Sequence, residues 1–393
     1  MILRKHSNLN RLGILKMDRF SLRYAVERLR TGLFDAVAVN HLTVEQDRIE
    51  NVFSKSLQAL EQGTADPFCI CGSYGQGKSH TLTYLNQLAL AQGYATSIVQ
   101  LDVREVPFNQ FAIVYQSIAE KLSLPDGKAL ATAWKLANKK DFLQILDTIP
   151  HRFKMILTAM LYKTKPLPAK EMLLKKHKNY RPREYKDWLE QALIGYNIPT
   201  TYLKSICKYR EIANYQDQSL LCRGNDQYFH MVQSLGLILK ELGYKGLILF
   251  FDEAESIAQL RLNNRIKSYQ LLDQFFQTQG YVLPIFAFTE DFFNKVNNES
   301  YDDDRAIFTK NYAQTWANLS ILRLQDFSAQ GWESLLDRLM KIYSQAYQID
   351  LPLQIKANLQ ILLDKFKAQE LRFRLKALIN KLDIDTQHSF LDT

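Results

Sequence analysis

Cysteine is scarce in this 393-residue chain, and its four copies exclude two chemistries. Cys69 and Cys71 share one short apolar run, while Cys207 and Cys222 lie far away, so neither a disulfide framework nor a zinc spacing can be drawn through them. Reduced, structural thiols in a cytoplasmic protein are expected. The seven histidines likewise lack metal-ligand spacing. No apolar run approaches the roughly 18–20 residues of a membrane span, so no membrane partner is expected. Internal repeats and low-complexity tracts are also missing, which argues against a solenoid. Acids are absent before Asp18, whereas Arg4, Lys5, Arg11 and Lys16 are present. Without a Ser-rich stretch or a cleavage region, this start reads as a basic arm rather than a transit peptide.

What is present is an ordinary globular composition, with 47% apolar and 23% charged residues and a length that suits two or three domains. Its most informative segment is Gly72-Ser73-Tyr74-Gly75-Gln76-Gly77-Lys78-Ser79, followed by His80. This is a G-x-x-x-x-G-K-S loop. The strand-like run Phe68–Cys71 precedes it, and a helical pattern over Leu82–Leu90 follows, which is the context the motif requires. Glycines let successive N–H groups curl around one anion. The helix beginning near Lys78 adds the positive end of its dipole. Lys78 would reach the β- and γ-phosphates, and the Ser79 hydroxyl would ligate Mg²⁺. His80 closes the loop as a helix-start residue.

A second motif lies far downstream. Gly246-Leu-Ile-Leu-Phe-Phe-Asp252-Glu253 reads as a strand buried on both faces that ends in two acids. Ligands collect at the carboxyl ends of such strands. Asp252 would hold the Mg²⁺ water shell, and Glu253 would orient or deprotonate an attacking water. The pair points to ATP hydrolysis. Asn380-Lys381-Leu382-Asp383 imitates a guanine-reading N-K-x-D, but it ends a helical pattern rather than a strand, so adenine is the expected base.

Strands are expected at Phe68–Cys71, Thr96–Val103, Gly246–Phe251, Val282–Phe288 and Ser320–Leu324, with helical patterns between them. Alternation of this kind predicts a three-layer α/β fold around a mostly parallel five-stranded sheet. A helical arm is read around Phe20–Thr31. A helix over Thr43–Gln62 follows, opened by a capping box at Thr43-Val44-Glu45-Gln46. The stretch between Asp102 and Leu247 is too long for one connection, and its periodic apolar residues predict a large helical insert over 126–226. The full division is an arm and helix (1–50), a core (51–125 and 227–325), the insert, and a C-terminal helical lid (326–393).

The insert carries the charge. Residues 151–210 hold 14 Lys/Arg against four acids, +10 in a chain whose net charge is +9. Aromatics Tyr180, Tyr185 and Trp188 interleave with these cations. Such a mixture suits a nucleic-acid backbone and its bases, and equally a solvated face or an acidic partner.

Together these blocks resemble the AAA+-related ATP-binding proteins of bacterial BREX phage-defence systems, the BrxD type in particular. The likeness rests on Thr43–Glu45, Gly72–His80, Gly246–Glu255, Phe286-Ala-Phe-Thr-Glu-Asp-Phe-Phe293 and, more loosely, Leu371-Arg-Phe-Arg-Leu-Lys376. The resemblance implies an origin-recognition-like AAA+ core with a P-loop, active as a homo-oligomer, working on DNA or with a helicase or other defence-system protein. It implies Thr289 as the polar sensor after the fourth strand. It also implies Arg372 as the lid arginine, with Arg374 as the fallback, and Arg305 as the finger reaching a neighbour's ATP. Two other functions fit the same site: an ATP-binding switch or scaffold that turns over slowly, and an initiator-like DNA loader outside defence.

Overall fold

The computed structural model describes residues 18–136, 148–161, 182–196, 198–300, 308 and 310–391. Five apolar runs form strands: β1 Phe68–Cys71, β2 Ala95–Gln100, β3 Leu247–Asp252, β4 Val282–Phe288 and β5 Ser320–Arg323. They join in one sheet in the order β2-β3-β4-β1-β5, with every pairing parallel. Parallel neighbours need crossovers, and the crossing helices cover both faces. For that reason β1, β3 and β4 are apolar almost without interruption. Successive side chains alternate between faces. Leu247, Leu249 and Phe251 join Phe286 and Phe288 on one, while Ile248 and Phe250 join Leu283, Ile285 and Ala287 on the other. The predicted α/β architecture is the observed one. β2 stops short of the expected Val103 because Asp102 Oδ1 accepts from the N–H groups of Arg104 and Glu105 (2.6 and 2.8 Å), which turns the chain.

Near the start of the chain lie α1 Arg19–Arg30, α2 Ala36–Leu42, α3 Asp47–Glu61 and, after the glycine loop, α4 Lys78–Ala91. The helices α3 and α4 cover the Ile248 face through Phe53, Leu57, Leu82 and Leu85. The Phe251 face meets an aromatic cluster in which Phe108, Phe275 and Phe286 pack edge to face around Phe251 or stack on it. Described helices of the insert, including His151–Leu161 and Thr200–Tyr209, belong to this same apolar cluster. Tyr115 donates to Leu193 O (2.8 Å) and Trp134 to Leu157 O (3.0 Å), so buried polar ends are satisfied across that contact.

The lid comprises the helices Ala329–Tyr347, Leu353–Lys365 and Leu371–Leu391. Its core includes α1 and α2 from the other end of the chain: Leu22, Val26, Leu29, Ala38 and Leu42 pack with Leu335, Leu339, Leu378 and Leu382. Arg30 grips Asp383 with two parallel bonds of 2.7 Å, and Tyr343 donates to the same carboxylate (2.7 Å). The guanidinium's pKa is raised further by that carboxylate. Asp383, the last residue of the guanine-like motif, is therefore an anchor for α1 on a helix. None of the helices among the described residues is long and apolar enough to cross a membrane.

The expected capping box does not form. Thr43 follows α2, and its hydroxyl donates to Val39 O (2.6 Å). Gln46 occupies the N-cap of α3 without any side-chain cap bond. Glu45 adopts a left-handed conformation (φ 53) and sends its carboxylate away to Ser328, the N-cap of the helix Ala329–Tyr347, accepting from its N–H and hydroxyl. Tertiary partners outbid the local motif, because a carboxylate at a helix N-terminus meets unpaired N–H groups and the positive dipole end.

Candidate functional site

The first strand ends at Cys71, and Gly72 N donates to Phe288 O (3.2 Å), so the loop leaves the sheet between β4 and β5. Gly75 (φ 74) and Gly77 (φ 98) are both left-handed, a conformation that residues with a Cβ resist. Gln76 braces the loop: its Oε1 accepts from Ser73 N (2.7 Å), and its Nε2 donates to Leu324 O just past β5 (3.0 Å). Gly77 is the N-cap of α4, so the helix begins at Lys78 with its first N–H groups facing into the loop.

Lys78 is almost fully buried, and its ammonium donates to Gly72 O (2.9 Å) and Ser73 O (3.3 Å). Asp252 ends β3, and its Oδ1 accepts from Glu253 N (2.9 Å). Gly75, Gln76, Gly77, Lys78, Ser79, Asp252 and Glu253 all line one cavity of about 1320 Å³. That is ample for a nucleotide. The cavity runs on past Thr43, Val44 and Glu45 to α1 and reaches the lid at Glu370–Arg372. The two motifs thus meet, although 173 positions separate Ser79 from Asp252 in the sequence.

Among the described residues no three His, Cys, Asp or Glu side chains converge to hold a metal. A cation here would draw on Ser79, Asp252 and a ligand's own oxygens. This donor set fits Mg²⁺, which usually keeps its waters and takes one or two carboxylates with phosphates.

Glu253 has left-handed backbone (φ 55), is exposed, and accepts from Gln100 Nε2 (3.0 Å) at the end of β2. Thr289 directly follows β4, and its carbonyl accepts from Phe292 N (3.2 Å), but it is not among the residues lining the cavity. His80 sits beneath the loop, with its Nε2 2.9 Å from Thr43 Oγ1 and Phe34 packed edge-on at 5.4 Å. Burial pulls its pKa down to about 4, so the ring is neutral at pH 7 and serves as a brace. Tyr74 stands exposed at the lip.

The lid touches the loop. Arg372 N donates to Gly75 O (3.3 Å), and its guanidinium lies 5.2 Å from the Tyr74 ring centroid and donates to Tyr74 Oη (3.2 Å). Arg374, the fallback, is spent elsewhere. It holds Asp326 through two bonds (3.0 and 2.8 Å) and lies 4.5 Å over Trp332. Arg305 falls outside the described residues, as do Lys175, Lys176 and Lys178.

Sequence reasoning missed two acids. Glu255 lines the cavity and forms an ion pair with Lys78 (3.6 Å). Its carboxyl pKa is raised, chiefly by burial and also by nearby Asp252, against its own backbone N–H and Lys78. The run Asp252-Glu253-Ala254-Glu255 carried that signal. Glu370 lies so close to the loop that a Cβ at Gly75 would collide with its carboxylate, and no local pattern announces it.

Comparison with known proteins bears on this geometry. A family model described as BREX system ATP-binding protein BrxC/D matches residues 21–134 and 223–392, passing over most of the basic insert. No curated protein matches the chain. Among solved structures, it is similar to a Walker-type ATPase of Pyrococcus abyssi at 12% identity and a TM-score of 0.36. That alignment covers 89% of this chain and 75% of the other.

Proposed function

The chain belongs to the BREX system ATP-binding protein BrxC/D family, and from that premise we propose that it is an Mg²⁺-dependent ATPase of the AAA+ class. The observation that carries the reading is the meeting of Ser73–Ser79 with Asp252 on one cavity wall. In this reading the loop N–H groups and the α4 dipole hold the phosphates, Lys78 reaches the terminal ones, and adenine is the base. Ser79 and Asp252 would hold an Mg²⁺ ion that enters with the nucleotide, and that ion would neutralise phosphate charge. Glu253 turns the attacking water and accepts its proton. Thr289 follows β4 outside the cavity lining and is given no part in positioning that water. Arg372, already at the lip, steadies the γ-phosphate as charge moves to the leaving oxygen. Arg305 serves a neighbouring subunit's site in a cytoplasmic homo-oligomer.

The target is DNA, or a DNA-bound helicase or nuclease, in phage defence. The +10 charge of residues 151–210 supports this. So does the exposed ring of Tyr202, stacked on Trp188 at 4.3 Å within the insert. DNA affinity should fall steeply with salt, and charge reversal at Lys175, Lys176 and Lys178 should weaken it. Binding indifferent to both would favour a protein partner. The contact of Glu370–Arg372 with the loop favours a second reading, in which ATP chiefly sets the position of the lid and turnover is slow.

ATP binding and turnover, measured across protein concentration with and without single- and double-stranded DNA, test the proposal. Lys78→Ala should lose nucleotide binding, and Glu253→Gln should bind ATP without turning it over. A rate per subunit that rises with concentration fits a finger supplied in trans, whereas slow turnover at every concentration fits the switch. Undiminished ATP affinity in Lys78→Ala would remove the site assignment.

A further inference from the structure

Lys78 has three protons to donate. Two are taken by Gly72 O and Ser73 O, at 2.9 and 3.3 Å. One remains, and Glu255 Oε1 stands 3.6 Å from the nitrogen. The other carboxylate oxygen, Oε2, is buried and has no hydrogen-bond partner. A buried, unpaired acceptor on a cavity wall is costly, so its position calls for a reason.

The backbone explains how the acid comes to be there. Glu253 turns left-handed and faces β2 through Gln100. A short 3₁₀ helix, Ala254–Gln259, follows at once and carries Glu255 back over the loop. The same turn that sets Glu253 beside Gln100 on the cavity wall therefore brings Glu255 to Lys78.

We infer that Glu255 competes with the terminal phosphate of a bound nucleotide for the Lys78 ammonium, and so limits how tightly the site holds a triphosphate. The inference rests on the ATP reading given above. Without nucleotide, Glu255 compensates the Lys78 charge, which would otherwise be buried without an acid beside it. An arriving γ-phosphate needs the same third proton, and it also meets the repulsion of a carboxylate beside the buried Lys78. A diphosphate, which ends before that point, displaces less of the contact. After hydrolysis Lys78 returns to Glu255, which helps the freed phosphate to leave. Glu255 is thus a positioning residue that works through Lys78.

The test is equilibrium binding by calorimetry of the full chain with Mg²⁺ and either ADP or a non-hydrolysable ATP analogue. Glu255→Gln keeps the shape and removes the charge. It should tighten analogue binding about tenfold while changing ADP affinity by less than about twofold. A variant that merely loosens the site would weaken both ligands, so the sign of the change separates the two roles. Glu255→Asp, which keeps the charge on a shorter stem, should lie between parent and Glu255→Gln. Analogue binding that is unchanged or weaker in a Glu255→Gln protein of parental melting temperature overturns the inference. The parent's own failure to bind the analogue would instead defeat the ATP reading itself.

Discussion

Arg372 and Arg374 are two residues apart on the same lid helix, and their contacts differ enough that a pair of alanine variants can test the opposite duties proposed for them. Arg374 is 6% exposed and makes two charge-assisted bonds to Asp326. Each such bond is worth about 1.5–3 kcal/mol, and the guanidinium over Trp332 adds about 0.5–2 kcal/mol. Against this, Asp326 is 46% exposed and rehydrates when released, so only part of the sum is lost. Arg374→Ala should therefore destabilise the protein by about 2–4 kcal/mol. The Arg372 side chain makes one bond, to an exposed tyrosine, and a surface cation–π contact. Its removal should cost under about 1 kcal/mol, but it should lower ATP turnover because the guanidinium stands over the loop. Urea unfolding and steady-state turnover of the two variants give the answer together. An Arg374→Ala protein that melts like the parent but fails to hydrolyse ATP, beside an unaffected Arg372→Ala, would refute the assignment.

Three other outcomes are expected. His80 ionises near pH 4 in the folded chain against an ordinary value of 6.5, so the unfolded state takes up the proton first. Its contribution is intact above pH 6.5 and disappears as the pH falls towards 4, up to about 3 kcal/mol; thermal melts of the parent and His80→Gln between pH 4 and 7 should converge at the acid end. Asp383→Asn should loosen α1, removing most of a bidentate pair worth about 2 kcal/mol, and limited proteolysis should then cut near residues 19–35 where the parent resists. Gly75→Ala must adopt a φ of 74 and displace Glu370, so nucleotide affinity should drop by at least about tenfold; Gly77→Ala, whose Cβ would meet only Leu371 at 3.6 Å, carries backbone strain alone and should drop less.

The glycine loop was legible in the sequence because its chemistry is local: eight consecutive residues specify the curl, the lysine and the helix start. The strands were legible because burial on both faces leaves no room for polar residues at β3 or β4. What escaped was set by contacts between distant segments. Thr43–Gln46 has the letters of a capping box, yet Glu45 finds a better partner 283 positions away at Ser328. The Arg30–Asp383 grip, spanning 353 positions, moves α1 and α2 into the lid. Glu255 lay in plain view, but its direction depends on one left-handed residue, Glu253, and no pattern of apolar spacing encodes that.

Because α1 and α2 join the last three helices, the peptide passes between lid and sheet twice: once after Leu42, and again between Arg323 and Ser328. Glu45 and Ser328 fasten these two passages to each other. α2 adds a third attachment: Val39 packs with Phe53, Ile70 and Leu82, and Gln87 Nε2 donates to Ala36 O (3.1 Å). The chain's first helices thus rivet the lid to the helical layer over the sheet, and a substitution that loosens them should be felt where Arg372 meets the glycine loop.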